Sequence, residues 1–166
     1  MIEAMIDIET LDTANTAVIF QVGLVIFDDM SVLEEIQWDL NVQEQINSGR
    51  TITADTLAFH LGIPDNLKNS LEGSTTSTTK AMIDLRETCR TFDIENYWSK
   101  GNFDFNLLED LFGKNQVPWT FFQQRELRTL MKEVDVKKGE TTHNALQDCL
   151  DQLGQLRECR LIIKGA

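Results

Sequence analysis

The sequence predicts one α/β domain over residues 1–166, with a mixed central sheet and helices packed on it. Three observations carry this reading. The first forty residues hold three runs of strand character, later residues show helical stripes broken by short extended segments, and 42% hydrophobic content supports one core.

The elements follow in order. Ala4–Glu9 alternates, with Ala4, Ile6 and Ile8 on one face and Met5, Asp7 and Glu9 on the other. Ala17–Phe27 is an apolar, β-branched run, Val32–Leu40 alternates again, and Asp28-Asp29-Met30 reads as the hairpin turn between them. These three strands form an expected antiparallel meander. Asn41–Ser48 and Ala54–Leu61 read as short helices, with Gly62, Pro64 and Asp65 breaking the chain. The polar stretch Gly73–Thr79 is a loop or a helix entrance. Thr78–Phe92 follows as a longer helix, with Met82, Leu85 and Cys89 at helical spacing. Glu95–Ser99 reads as a fourth strand, Phe103–Phe112 as an amphipathic helix and Pro118–Phe122 as a short strand. Gln124–Val134 and Asn144–Cys159 are the last expected helices.

Composition narrows the function classes. The net charge is −12, and residues 1–40 contain nine acids and no Lys or Arg. Broad attraction to a nucleic-acid duplex needs a basic footprint, which is missing, although a short stretch held through metal ions is compatible. No apolar run is long enough to span a membrane, and the N-terminus is acidic where a signal peptide is basic, so a cytoplasmic protein is expected. Cys89, Cys149 and Cys159 form no CxxC pair and read as thiols in a reducing compartment.

Three places carry candidate chemistry. Asp7 and Glu9 project from one strand face within reach of one cation, and buried carboxylates of this kind suit Mg²⁺ or Mn²⁺. The plain alternative is an edge strand with two solvated acids. Asp104 falls on the apolar stripe of its helix at the first turn, where a capping acid is equally at home. His143 sits at the entrance of the last helix with Asp148 about one turn further in, beside the stripe Leu146, Cys149, Leu150 and Leu153. A histidine there is commonly a surface residue.

Taken in order, Asp-x-Glu on a first strand, Asp at a helix start after a fourth strand, and His-x-x-x-x-Asp on the last helix resemble the DEDDh group of 3′→5′ exonucleases. The matching segments are MIDIET (5–10), GNFDFNLL (101–108) and HNALQD (143–148). The resemblance covers nearly the whole chain and is nearest to the small phage- and prophage-type members. Gly49-Arg50 and Asp55–His60 occupy the place of their Arg-then-aromatic helical segment, and Trp119 and Arg128 fall where they commonly carry Trp and Arg.

The resemblance implies a ribonuclease H-like fold, with parallel strands after the antiparallel first three. It implies two Mg²⁺ or Mn²⁺ ions held by Asp7, Glu9, Asp104 and Asp148, with His143 as general base. The expected reaction is hydrolysis of single-stranded DNA or RNA from the 3′ end, releasing nucleoside 5′-monophosphates. A homodimer is consistent with it. Thr10 and Leu11 stand in the loop that touches the terminal nucleotide, without the glycine many members have there. Phe59 and His60 stand where related proteins often have two tryptophans; one of them could stack on a base, or Phe59 is core and His60 solvated. Arg125, Arg128, Lys132, Lys137 and Lys138 could hold substrate phosphates or form a solvated helix face. A rival from another class is a non-catalytic acidic protein that mimics nucleic acid, which the charge favours but the ordered motifs do not explain.

Overall fold

Period-two alternation puts β1 (Glu3–Thr10) at the centre of the sheet, because both of its faces have something to bury. The structure, a computed structural model, describes residues 1–63, 66–72, 75–137 and 139–165. Among them the sheet has five strands in the order β3-β2-β1-β4-β5. β2 (Ile19–Phe27) pairs antiparallel with β1, and β3 (Val32–Asp39) antiparallel with β2. β4 (Asn96–Ser99) runs parallel to β1, and β5 (Gln124–Glu126) parallel to β4. The helices are α1 (Val42–Asn47), α2 (Ala54–Leu61), α3 (Asn66–Glu72), α4 (Thr78–Phe92), α5 (Asn102–Phe112), α6 (Leu127–Glu133) and α7 (Ala145–Gly165). None of the described helices is long and apolar enough to cross a membrane.

The two faces of β1 meet different helices. Ala4, Ile6 and Ile8 pack with Ala81, Leu85 and Cys89 of α4 and with Phe105, Leu108 and Phe112 of α5. Met5 packs on the opposite side with Leu127 and Met131 of α6 and Cys149, Leu153 and Leu156 of α7. Asp7 and Glu9 share that second face. All three cysteines are buried free thiols.

Asp7 lies opposite Gly23 of β2. A Cβ at Gly23 would stand 2.4 Å from both the carbonyl carbon and oxygen of Ala145. Only glycine therefore lets the first turn of α7 close onto the sheet beside Asp7.

Some expected elements differ. Pro118–Phe122 forms no strand; Phe121–Gln123 is a 3-10 turn, and the strand is Gln124–Glu126, within the segment expected to begin a helix. The helix starts at Leu127 because the Glu126 carboxylate accepts from the backbone N–H groups of Arg128 and Thr129, at 3.0 and 2.7 Å. α3 was not anticipated. α2 ends against Gly62 as expected, while Pro64 and Asp65 lie outside the described residues, as do Gly73 and Ser74 of the polar stretch. Of that stretch, Ser77 caps α4 by accepting from the Lys80 N–H. α7 continues to Gly165, beyond the expected end at Cys159.

Candidate active site

The central strand and two helix starts meet at one cavity of about 220 Å³, lined by Asp7, Glu9, Asp104, Arg128, Asp148 and Gln152 among others. β1 supplies Asp7 and Glu9, the first turn of α5 supplies Asp104, and the first turn of α7 supplies Asp148. One carboxylate oxygen from each of Asp7, Glu9 and Asp148 lies within 4.8 Å of the other two. Asp104 lines the same cavity without belonging to that tightest group.

Crowding and burial are visible in the proton affinities. Removal from water, with Asp148 adding repulsion, raises Asp7 to about 7; the Gln152 amide and Lys100 pull the other way. Burial, then Asp7 and Asp148, raises Glu9 to about 9. Burial, then Asp7 and Glu9, holds Asp104 well above the usual carboxylate range, opposed by Arg128. Such a set is costly as bare anions and favourable around a cation. All four donors are hard carboxylate oxygens, and that chemistry fits Mg²⁺ or Mn²⁺.

His143 comes to the same place. Its Nδ1 is 3.8 Å from Glu9 Oε2, and its ring is about one third exposed. Its backbone is left-handed, at φ 58°. Asp148 stabilises that bend by accepting from Thr142 N, Thr142 Oγ1 and His143 N, at 2.8, 2.8 and 3.2 Å. The Asn66 side-chain amide donates to the His143 carbonyl. Asp148 thus both faces the cavity and orients the histidine-bearing turn.

The remaining candidates divide. Phe59 is half exposed and meets the His143 ring edge-on at 4.7 Å. His60 is buried, with Nε2 3.7 Å from Glu9 Oε2 and its ring against Phe20. Burial, then His143, lowers its pKa. The pair is therefore the reverse of a core Phe59 and a solvated His60. Thr10 Oγ1 donates to the Asp12 carbonyl. The Leu11 side chain is buried with Val18, Phe20, Val42 and Leu67, and its backbone N–H and C=O are taken by Val18 and Thr53. Of the basic cluster, Arg128 lines the cavity and passes over Gly101, while the Arg125 guanidinium turns to the Phe122 and Gln124 carbonyls. Lys138 lies outside the described residues.

Gln152 is the site residue the sequence reading missed. Its Nε2 donates to Asp7 Oδ1 at 2.6 Å, and its own Oε1 is buried without a partner. Its spacing of four from Asp148 on one helix is the signal that could have found it. Lys100, Glu140 and Asp151 also line the cavity.

None of the curated proteins matches the sequence. Among solved structures, S. pombe Pop2p in its Mg²⁺- and Mn²⁺-bound form matches with TM-score 0.59 at 11% identity, over 95% of this chain and 82% of that one. A full-length 3′-exonuclease matches with TM-score 0.58 at 10% identity, over 99% and 82%. Exonuclease I in its apo form matches with TM-score 0.62 at 11% identity, over 98% of this chain and 44% of that one. At these identities the likeness concerns the fold, which is ribonuclease H-like. The 3′-5′ exoribonuclease Rv2179c-like domain matches residues 2–159, nearly the whole length, and the chain belongs to that family.

Proposed function

We propose that this chain is a single-domain, metal-dependent 3′→5′ exonuclease of the DEDDh type, acting on the 3′ ends of single-stranded DNA or RNA. The observation that carries the reading is the convergence of Asp7, Glu9 and Asp148 oxygens within 4.8 Å, in a cavity that Asp104 also lines. Asp7, Glu9, Asp104 and Asp148 would hold two Mg²⁺ or Mn²⁺ ions, which when bound supply an activated water and neutralise charge on the phosphate.

This chain's own residues do the rest. His143 takes the proton of the attacking water on a ring nitrogen, with the Asp148-stabilised turn fixing its position. Arg128 holds a phosphate oxygen at the cavity wall. Phe59 offers its exposed face to a base, with Thr10 beside it at the end of β1. His60, buried beside Glu9, supports the wall more than it stacks. The product is a nucleoside 5′-monophosphate. A nucleic-acid mimic gives no reason for Glu9, Asp104 and Asp148 to be buried around one cavity.

The test is digestion of 5′-labelled single-stranded RNA and DNA of one sequence, with Mg²⁺, Mn²⁺ or EDTA. The expected result is a ladder shortening from the 3′ end, with 5′-monophosphates released and no cleavage in EDTA. Internal cuts, or no cleavage with either ion, would reject the reading.

A further inference from the structure

A second feature lies beyond the cavity and is built with some care. The 3-10 turn Phe121–Gln123 presents two phenylalanine side chains to water, 79% and 84% exposed. Two adjacent aromatic side chains this exposed form an apolar patch of the kind that marks binding surfaces. Their rings stand 5.8 Å apart, edge to face. The turn beneath them is pinned on all sides. Gln123 Oε1 accepts from Thr120 N at 3.0 Å and from Thr120 Oγ1 at 3.1 Å, and Gln123 Nε2 donates to the Ile94 carbonyl at 3.1 Å. The Arg125 guanidinium donates to the Phe122 carbonyl at 2.7 Å and to the Gln124 carbonyl at 2.8 Å.

Beside this turn is a polar groove of about 420 Å³, lined by Asn102, Asn106, Asn115, Thr120, Gln124 and Phe121, with Lys114 also on its wall. Asn102, Asn106 and Glu109 form one stripe of α5, so the groove follows that helix for about 10 Å. At one end of it Asn102 stands in the chain between Gly101 and Phe103, which both line the first cavity. Glu109, the acid in the groove, is engaged by Trp119 Nε1 at 3.0 Å and Gln124 Nε2 at 2.7 Å. Both bonds go to Oε1, so the groove keeps one carboxylate among its amide, hydroxyl, aromatic and cationic groups. Side-chain amides both donate and accept, as base edges require.

We infer that this groove and the Phe121–Phe122 turn bind the single-stranded nucleic acid lying 5′ of the terminal nucleotide. The inference rests on the proposed exonuclease reading. With the 3′ end in the metal cavity, any further contact must fall on the 5′ side. A pre-ordered aromatic turn stacks on any base without first losing conformational freedom.

The experiment measures KM and kcat in Mn²⁺ for a single-stranded 12-mer and a dinucleotide of the same chemistry. It compares the original chain, Phe121→Ala/Phe122→Ala, Phe121→Trp, and Met30→Ala as an exposed control on the β2–β3 hairpin. The expected result is a rise of about tenfold in the double variant's KM for the 12-mer, the size of one lost base stack, with its dinucleotide KM unmoved. Phe121→Trp should keep the 12-mer KM, and Met30→Ala should change neither. Equal KM values for the double variant and the original chain on the 12-mer would overturn the groove while leaving the exonuclease intact. A dimer by sedimentation that dissociates in the double variant would also overturn it and assign the turn to a second copy. No cleavage of either substrate by the original chain would reject the exonuclease reading itself, and the groove with it.

Discussion

Glu9 Oε2 lies within 4 Å of nitrogens from two histidines, and their different surroundings separate their parts. His60 is buried against Phe20, while His143 reaches the solvent edge on a turn held by Asp148. His143→Ala should therefore lower kcat by about 10²–10⁴, as for a positioned general base, and leave Mn²⁺ affinity by calorimetry unchanged. Gln152 acts on Asp7 directly. Gln152→Leu keeps much of the volume but removes the 2.6 Å hydrogen bond from the Gln152 amide that favours ionised Asp7. Mn²⁺ affinity should weaken about 10–100-fold, as when groups supporting metal ligands are lost, and an unchanged binding isotherm would refute the role. Asp7, Glu9, Asp104, His143 and Asp148 were each weak signals alone and stood out as an ordered set through the family resemblance. Gln152 was not legible: a spacing of four from Asp148 is its sole sequence signal, and the distance to Asp7 is what gives that spacing meaning. Leu11 was misleading in the same way: sequence places it beside the motif, but the core takes its side chain.

At the level of elements, the architecture depends on how closely α7 approaches β2. Gly23 allows it, and the contact is backbone on backbone, so no side-chain rotation can relieve an added methyl. Gly23→Ala should cost about 1–3 kcal/mol by overpacking, measured by urea unfolding. It should also lower kcat about 10²-fold, since moving the start of α7 displaces Asp148 and His143 together. Gly154→Ala gives the contrast. It lies in α7 with nothing within 4 Å of its added Cβ, and should stabilise the helix by roughly 0.5–1 kcal/mol with kcat unchanged. β1 to β3 were readable because alternation and β-branched runs are strong patterns. β5 was not: its three residues, Gln-Arg-Glu, are polar, and only parallel pairing with Tyr97, Trp98 and Ser99 makes them a strand. α3 is seven residues long with a polar sequence, and its buried Leu67 is a single apolar anchor, too little for a periodic signal.

Across the whole molecule, the acid cluster links stability to pH and to metal. Glu9 is raised from 4.5 to about 9 and Asp7 from 3.8 to about 7 in the folded chain. Between those limits the folded state holds protons that the unfolded chain has released. Their contribution to stability is present below the unfolded values and is lost as pH rises through the folded ones. Metal-free protein should therefore melt at progressively lower temperature from pH 6 to pH 9. The net charge of −12 adds self-repulsion in the same direction, so a variant must separate the two. Glu9→Gln removes the most relevant titration and changes the overall charge by one. Its melting temperature should fall less steeply with pH than that of the original chain. Mn²⁺ should act oppositely, because binding needs the carboxylates deprotonated. Its stabilising shift, set by how far the ion exceeds its dissociation constant, should grow from pH 6 to pH 8 and shrink in Glu9→Gln. Calorimetric scans with EDTA and with excess Mn²⁺ at each pH check both trends. A metal-free melting temperature that rises with pH, or a Glu9→Gln slope equal to that of the original chain, would show that these carboxylates are not the groups that couple folding to protons.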